Sequence, residues 1–180
     1  MAHIDLGVAE HAHPGIIGLL RYRPETAGPL MDLANVLLHA DNSLPRGDRE
    51  LIAAYVSSLN DCDFCASSHS AFAAAQLPGG ADLVRLVRLD GEDAPVSEKM
   101  RALLTIAAAV RSGGREVTPE SVERARTAGA TDLEIHDTVL IAAAFCMYNR
   151  YVDGLGTVAP DDPRGYERAA VSVVESGYGR

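Results

Sequence analysis

The sequence predicts an all-α fold, a bundle of about eight short helices in one domain. Three observations predict it. Alanine and leucine dominate, while aromatic residues make up only 5% and runs of β-branched residues are scarce. Apolar residues recur at i, i+3 and i+4, the period of a helix face, and no segment alternates as a strand would. The periodic stretches are bracketed by capping residues at their starts and by glycine or proline at their ends. With 180 residues and 47% hydrophobic content the chain can bury a real core, and two full domains would be a squeeze. The expected organisation is a single domain over 1–180, with its core at 46–155 and an N-terminal helical extension at 1–45.

Taken in order, residues 15–22 and 24–40 read as two helices, the second carrying Leu30, Leu33, Ala34, Leu37 and Leu38 at helical spacing. Asp41-Asn-Ser-Leu-Pro45 breaks the chain. A helix over 46–59 follows, with Leu51, Ile52, Tyr55, Val56 and Leu59 as its apolar stripe. Asn60-Asp61 signals a turn before a helix over 63–76, which Pro78-Gly79-Gly80 closes, and a short helix over 81–89 comes next. Ser97 caps a helix over 98–111. Thr118-Pro119 places a cap and then proline at the first helical position, and that helix ends at Gly129. Thr131-Asp-Leu-Glu134 is a capping box that opens a long helix to Asp153, and a last helix is expected over 163–175.

Bulk properties exclude several function classes. A net charge of −9 and a pI near 5.0 disfavour nucleic-acid binding and docking on anionic membranes. No stretch approaches the roughly 20 apolar residues of a membrane helix, and Met-Ala-His-Ile-Asp5 has no basic region followed by an apolar core. Three cysteines, an odd number, do not suggest a structural disulfide framework. A cytoplasmic protein is expected, whose close cysteine pair serves redox chemistry or metal binding.

The segment Cys62-Asp-Phe-Cys65-Ala-Ser-Ser-His69 is the candidate reactive centre. Cysteines at i and i+3 near a helix start share one face within disulfide-forming range. The helix N-terminus favours a thiolate. His69 lies one turn beyond Cys65 on that face, where it could accept the thiol proton, and only the thiolate attacks a peroxide or a disulfide. Glu50 enters by topology. It lies ten residues before the turn at Asn60-Asp61, and His69 nine after it, so an antiparallel helix pair sets them side by side. A carboxylate there would orient the imidazole and raise its basicity. The dipole argument makes Cys62 the attacking thiol and the histidine argument makes it Cys65; these arguments leave the choice open. A zinc site is the competing reading, since Cys62, Cys65, His69 and Glu50 are four possible ligands. An inert remnant is another.

An internal repeat is a further expectation. Glu50, Cys62, Cys65 and His69 have spacings of 12, 3 and 4, as do Glu134, Cys146, Asn149 and Asp153, shifted by 84. A duplicated helix pair would overlay 46–76 on 130–160. Cys146 itself, between Ile141 and Met147, reads as a buried core residue. His11 and His13 read as locally structural, His39 and His136 as surface or interface residues, and Asp161-Asp162 as a loop.

The run Arg49-Glu-Leu-Ile-Ala-Ala-Tyr-Val-Ser-Ser-Leu-Asn-Asp-Cys-Asp-Phe-Cys-Ala-Ser-Ser-His69 resembles the core of the alkylhydroperoxidase D (AhpD-like) and carboxymuconolactone decarboxylase superfamily, most closely its peroxidase-related branch. The Glu-x11-Cys-x2-Cys-x3-His pattern is present in full. Asn149-Arg-Tyr-Val-Asp-Gly154 resembles the family's second helix pair, and His13-Pro-Gly-Ile16 the branch's N-terminal stretch, so the likeness spans most of the chain. The resemblance implies an AhpD-like helical bundle, a homo-oligomer (trimer or hexamer), and thiol-dependent peroxidase activity on a hydroperoxide. No cofactor is implied beyond a redox-active Cys62–Cys65 disulfide. Carried over, Cys65 is the peroxidatic thiol, Cys62 resolves, His69 relays protons and Glu50 supports it. A lipoyl protein, thioredoxin or a small thiol would supply the reducing dithiol. The best-known member has a histidine immediately before its second cysteine, where this chain has Phe64, which implies a shorter or water-filled relay. The alternatives are a disulfide reductase, a redox sensor, or a decarboxylase or lactone-processing relative. The intact cysteine pair counts against the last.

Overall fold

The computed structural model describes residues 1–178. Among these there are nine α-helices and no strand. The helices are α1 (Ile16–Tyr22), α2 (Pro24–Ala34), α3 (Arg46–Leu59), α4 (Asp63–Ala74), α5 (Gly80–Asp90), α6 (Glu98–Ser112), α7 (Pro119–Thr127), α8 (Asp132–Gly154) and α9 (Pro163–Ser176). The long helix expected over 24–40 is divided: α2 stops at Ala34 and a π-helical turn, Asn35–His39, completes it. Such widened turns re-aim side chains and recur at functional sites.

α3 is the central helix. Every residue from Arg49 to Ser57 is buried, because α4, α5, α6 and α8 all pack around it. A helix with neighbours on all sides keeps few exposed positions. The main core joins Leu51, Ile52 and Val56 of α3 with Leu103, Leu104 and Ile106 of α6 and Ile141 and Phe145 of α8. A smaller cluster gathers Leu6, Leu19, Cys62, Phe64, Cys65, Val152 and Tyr166. The cysteine pair lies in this second cluster, which the N-terminal segment and α9 help to cover.

Arg49 is buried within this scaffold and is used for capping. Its guanidinium donates to Leu37 O at 2.9 Å and Ala40 O at 2.8 Å, satisfying carbonyls at the end of the π turn. Burial holds the guanidinium below its ordinary range, and the nearby charge of Arg46 adds to that effect. α8 opens on the expected capping box: Thr131 Oγ1 accepts from the Glu134 N–H at 3.2 Å, and Glu134 Oε2 accepts from the Thr131 N–H at 2.8 Å.

The expected duplication is not present as a helix pair. The counterpart of the turn at Asn60-Asp61 falls inside α8, which runs unbroken from Asp132 to Gly154. Cys146, Asn149 and Asp153 share the spacing because they form one stripe of α8. Asn149 and Cys146 in that stripe take hydrogen bonds from Asn60 of the α3–α4 turn. No helix is long and apolar enough to cross a membrane among the described residues.

Removing methyl groups from a core this tightly enclosed leaves a cavity. Leu104→Ala is expected to lower stability by about 2–5 kcal/mol, whereas Leu89→Ala, at an exposed position, should stay within about 0.5 kcal/mol. Urea denaturation of the two variants checks this contrast.

Candidate active site

The site is built on the reversal between α3 and α4. Asp61 has φ 56°, the one positive value at a non-glycine residue among those described. Aspartate tolerates that conformation because its short polar side chain bonds locally. Asn60 ties the turn to α8: its Nδ2 donates to Asn149 Oδ1 at 2.8 Å, and Asn149 Nδ2 donates to Ser57 Oγ at 3.0 Å. α4 follows with Cys62 as its N-cap and Cys65 in its first turn. Both thiols are free and buried.

The Cys62 thiol is pushed far above the ordinary thiol range. Its hydrogen bond with Cys65 is the largest cause, burial and charge on Cys65 come next, and the Asp153 carboxyl beside it adds to the shift. Cys62 therefore keeps its proton at neutral pH. The stabilisation a helix N-terminus offers a thiolate does not prevail there, because a second sulfur and an apolar shell oppose it. Asp153 is also raised, first by its own burial.

The reversal sets Glu50 against His69. His69 Nδ1 and Glu50 Oε2 are 2.7 Å apart, and Glu50 is 2% exposed. If Nδ1 carries the proton and donates to the carboxylate, Nε2 is left as the acceptor. Phe145 stands edge-on to the imidazole at 4.5 Å and Phe72 at 5.2 Å, so the ring is wedged.

Sequence reasoning missed Tyr178, which follows α9. Its Oη donates to Glu50 Oε1 at 2.5 Å and lies 3.3 Å from His69 Nδ1. Burial, and then the Glu50 charge, hold its phenol well above the ordinary range, so it remains a neutral donor. Both Glu50 oxygens are thus engaged. The only trace in the sequence is one bulky aromatic within Ser176-Gly-Tyr-Gly-Arg180, with no fixed spacing to the motif.

A small cavity of about 60 Å³ opens between Cys65 and His69, closed by Phe64, Phe145, Tyr148 and Tyr178. The imidazole hydrogen-bonds Glu50 and Tyr178 and meets Cys65 across this space. An outer vestibule of about 500 Å³, between the N-terminal segment and α9, shares Ile16, Met31, Phe64, His69 and Tyr178 with the inner cavity. Phe64 therefore supplies an apolar wall between the two spaces. Its ring is seated against Gly15: a Cβ there would lie 2.3 Å from it, and the φ of +56° also favours glycine.

The other singled-out residues stand apart. His11 borders the vestibule. His39 lies 3.2 Å from Arg46, and exposed His136 bonds Asp137 at 2.8 Å. Cys146 is half-buried and takes a long hydrogen bond from Asn60 at 3.6 Å. Among the described residues no group of three or more His, Cys, Asp or Glu side chains is placed to hold a metal ion.

Residues 24–77, which carry the π turn, α3 and α4, match the carboxymuconolactone decarboxylase family. Solved structures share the fold over most of the chain. The AhpD core of an uncharacterised peroxidase-related protein from Ralstonia eutropha superposes with a TM-score of 0.76 at 26% identity, covering 86% of this chain and 79% of that one. The chain is thus similar to the carboxymuconolactone decarboxylase family over residues 24–77 and to the AhpD core over most of its length. An uncharacterised peroxidase-related protein from a Silicibacter species gives 0.77 at 25% identity over 86% and 78% of the two chains. A protein of unknown function from Agrobacterium tumefaciens shares the fold at 0.70 and 23% identity, over 82% and 99%. No curated protein gives a significant match.

Two outcomes are expected of the AhpD-like site. Iodoacetamide at pH 8, followed by peptide mapping, should label Cys65 before Cys62, because Cys62 is the thiol held protonated. Gly15→Val should displace Phe64 and speed the labelling of Cys65; an unchanged rate would show that the seat of Phe64 does not control access.

Proposed function

We propose that this AhpD-like chain is a thiol-dependent peroxidase in which Cys65 attacks a hydroperoxide, Cys62 resolves the product, and the His69–Glu50 pair moves protons. The observation that carries the reading is the inner cavity: Cys65 and His69 both border it, with the Glu50 carboxylate behind the imidazole. A space of about 60 Å³ suits a peroxide group, given roughly 30 Å³ per liquid water molecule.

The steps follow from this arrangement. The imidazole accepts the Cys65 proton through the peroxide or a water in the cavity. The thiolate attacks the terminal peroxide oxygen, so an S–O bond forms as the O–O bond breaks. The alkoxide leaves and takes a proton from the imidazolium, whose charge Glu50 balances. Cys65 is now a sulfenic acid. The Cys62 sulfur then attacks the Cys65 sulfur: the S–S bond forms as the S–O bond breaks, and the proton that Cys62 gives up, received by Asp153 beside it and passed on, leaves with the hydroxide as water. An external dithiol then returns two electrons and two protons. Keeping Cys62 protonated until that second step separates the roles of two buried thiols only three residues apart.

The apolar vestibule supports a small organic hydroperoxide over a protein disulfide as substrate, since a concave apolar entrance admits a molecule and not a chain segment. A lipoyl group, thioredoxin or a small thiol as reductant, a cytoplasmic setting, and a trimeric or hexameric assembly belong to the same proposal; light scattering tests the assembly.

The deciding experiment mixes reduced protein with a small alkyl hydroperoxide and maps the cysteines by mass spectrometry. Wild type should form Cys62–Cys65, Cys62→Ser should accumulate sulfenic acid on Cys65, and Cys65→Ser should consume no peroxide. Glu50→Gln should slow consumption by about 10²-fold, the lower end of general acid–base contributions. Consumption that persists in Cys65→Ser overturns the assignment of roles, and none in wild type overturns the reading.

A further inference from the structure

We propose that the C-terminal segment 176–178 is a strap across the reactive centre, in which the Tyr178 ring sets the size of molecule that reaches Cys65 and its hydroxyl fixes Glu50 against His69. The inference rests on the peroxidase reading for its substrate but not for its geometry.

Four observations carry it. The first is how the chain is held. Asn35 makes two hydrogen bonds with the Tyr178 backbone: the Tyr178 N–H donates to Asn35 Oδ1 at 2.7 Å, and Asn35 Nδ2 donates to Tyr178 O at 2.6 Å. A side-chain amide paired in this way acts as a backbone ladder partner and grips the segment whatever its side chain. Asn35 opens the π turn, whose far end Arg49 caps, so the anchor is tied through that turn to α3.

The second is the approach. Gly177, at φ +78°, turns the chain off α9, and a Cβ there would lie 2.6 Å from Asn35 Oδ1 and 3.2 Å from the His39 ring. Only glycine lets the strap lie this close to its anchor.

The third is the position of the ring. It stacks on His69 at 6.0 Å and 21°, stands edge-on to Phe72 at 6.1 Å, and borders both the inner cavity and the vestibule. The residue also lines a third cleft, with Asp32, His39 and Ser172. The ring is therefore a partition. Without it the passage between the vestibule and the inner cavity would widen.

The fourth is the hydroxyl. Phenylalanine would fill the same space, so the hydroxyl has a use only through its hydrogen bond to Glu50 at 2.5 Å and its approach to His69 Nδ1. The remaining Glu50 oxygen holds His69. With one oxygen released, a buried carboxylate is free to rotate away from the imidazole. Tyr178 thus acts through Glu50 as a positioning residue and through its bulk as a specificity determinant.

The two parts separate by variant. Single-turnover oxidation with hydrogen peroxide and with cumene hydroperoxide gives a size ratio for wild type, Tyr178→Phe, Tyr178→Ala and a chain ending at Ser176. Labelling of Cys65 with iodoacetamide and with N-phenylmaleimide gives a second ratio that requires no peroxidase activity. Tyr178→Ala and the shortened chain should raise both ratios in favour of the bulky reagent by about tenfold, the scale on which apolar pockets discriminate size. Tyr178→Phe should leave both ratios near wild type, slow oxidation several-fold, and change the imidazole nitrogen shifts of His69 in NMR. Ratios that do not move in Tyr178→Ala overturn the partition, as does an equal shift in a variant destabilised away from the site, such as Leu104→Ala, since general loosening of the fold also exposes Cys65. A Tyr178→Phe protein matching wild type in rate and His69 shifts overturns the positioning role. A wild type inert to peroxide whose labelling ratio still changes in Tyr178→Ala overturns the peroxidase reading and leaves the strap intact.

Discussion

The Glu50 carboxylate is the constraint around which the rest of the site is organised. A charged side chain this deeply buried is costly unless its oxygens are engaged. They are engaged by residues far apart in the chain: His69 from α4 on one oxygen and Tyr178 beyond α9 on the other. The arrangement therefore requires the turn after α3 to have the correct length, the α4 face to carry His69 at the matching height, and the C-terminal segment to dock. A fault in any of these would leave a buried charge without a partner. The same residue that stands behind the imidazole enforces the geometry.

The elements that satisfy this demand are supported one step further out. Arg49, next to Glu50, points the opposite way and caps the π turn. The π turn presents Asn35, and Asn35 holds the tail that carries Tyr178. On the other side, Asn149 of α8 pins the Asn60 turn and so sets the start of α4, where the cysteines lie. Arg49 of α3 thus supports one flank of the site, and the tie between Asn60 and Asn149 supports the other. This helps explain why α3 is buried along most of its length although it carries four charged residues in its first two turns.

The chemical character of the centre follows from its apolar walls. In a low-dielectric pocket a thiolate, an imidazolium and a carboxylate interact more strongly than in water, and an unpartnered member is heavily penalised. The two thiols sit in the same cluster yet differ, because Cys62 is hydrogen-bonded to Cys65 and fully enclosed whereas Cys65 borders the cavity. Phe64, between them in sequence, contributes a wall and no titratable group. The titratable groups at the cysteines include His69, which borders the cavity, and Asp153 beside Cys62.

Local sequence determined much of this protein. Helix positions, the capping box at Thr131, the reversal at Asn60-Asp61 and the pairing of Glu50 with His69 are all readable, because each depends on spacing along one helix or across one tight turn. The repeat at a shift of 84 shows the limit of that method. The same periodicity that marks a helix face also marks a second helix lying against it, and spacing alone does not distinguish a duplicated pair from a packing stripe. Tertiary structure alone decided the rest. Tyr178 lies 128 residues from Glu50 and 143 from Asn35, so no local pattern connects them. The division of the 24–40 segment by the π turn, the seat of Phe64 on Gly15, and the small cavity beside Cys65 arise where distant segments meet. A hydrogen bond across such separations is fixed by the packing of whole helices, and that packing is written in no single stretch of the chain.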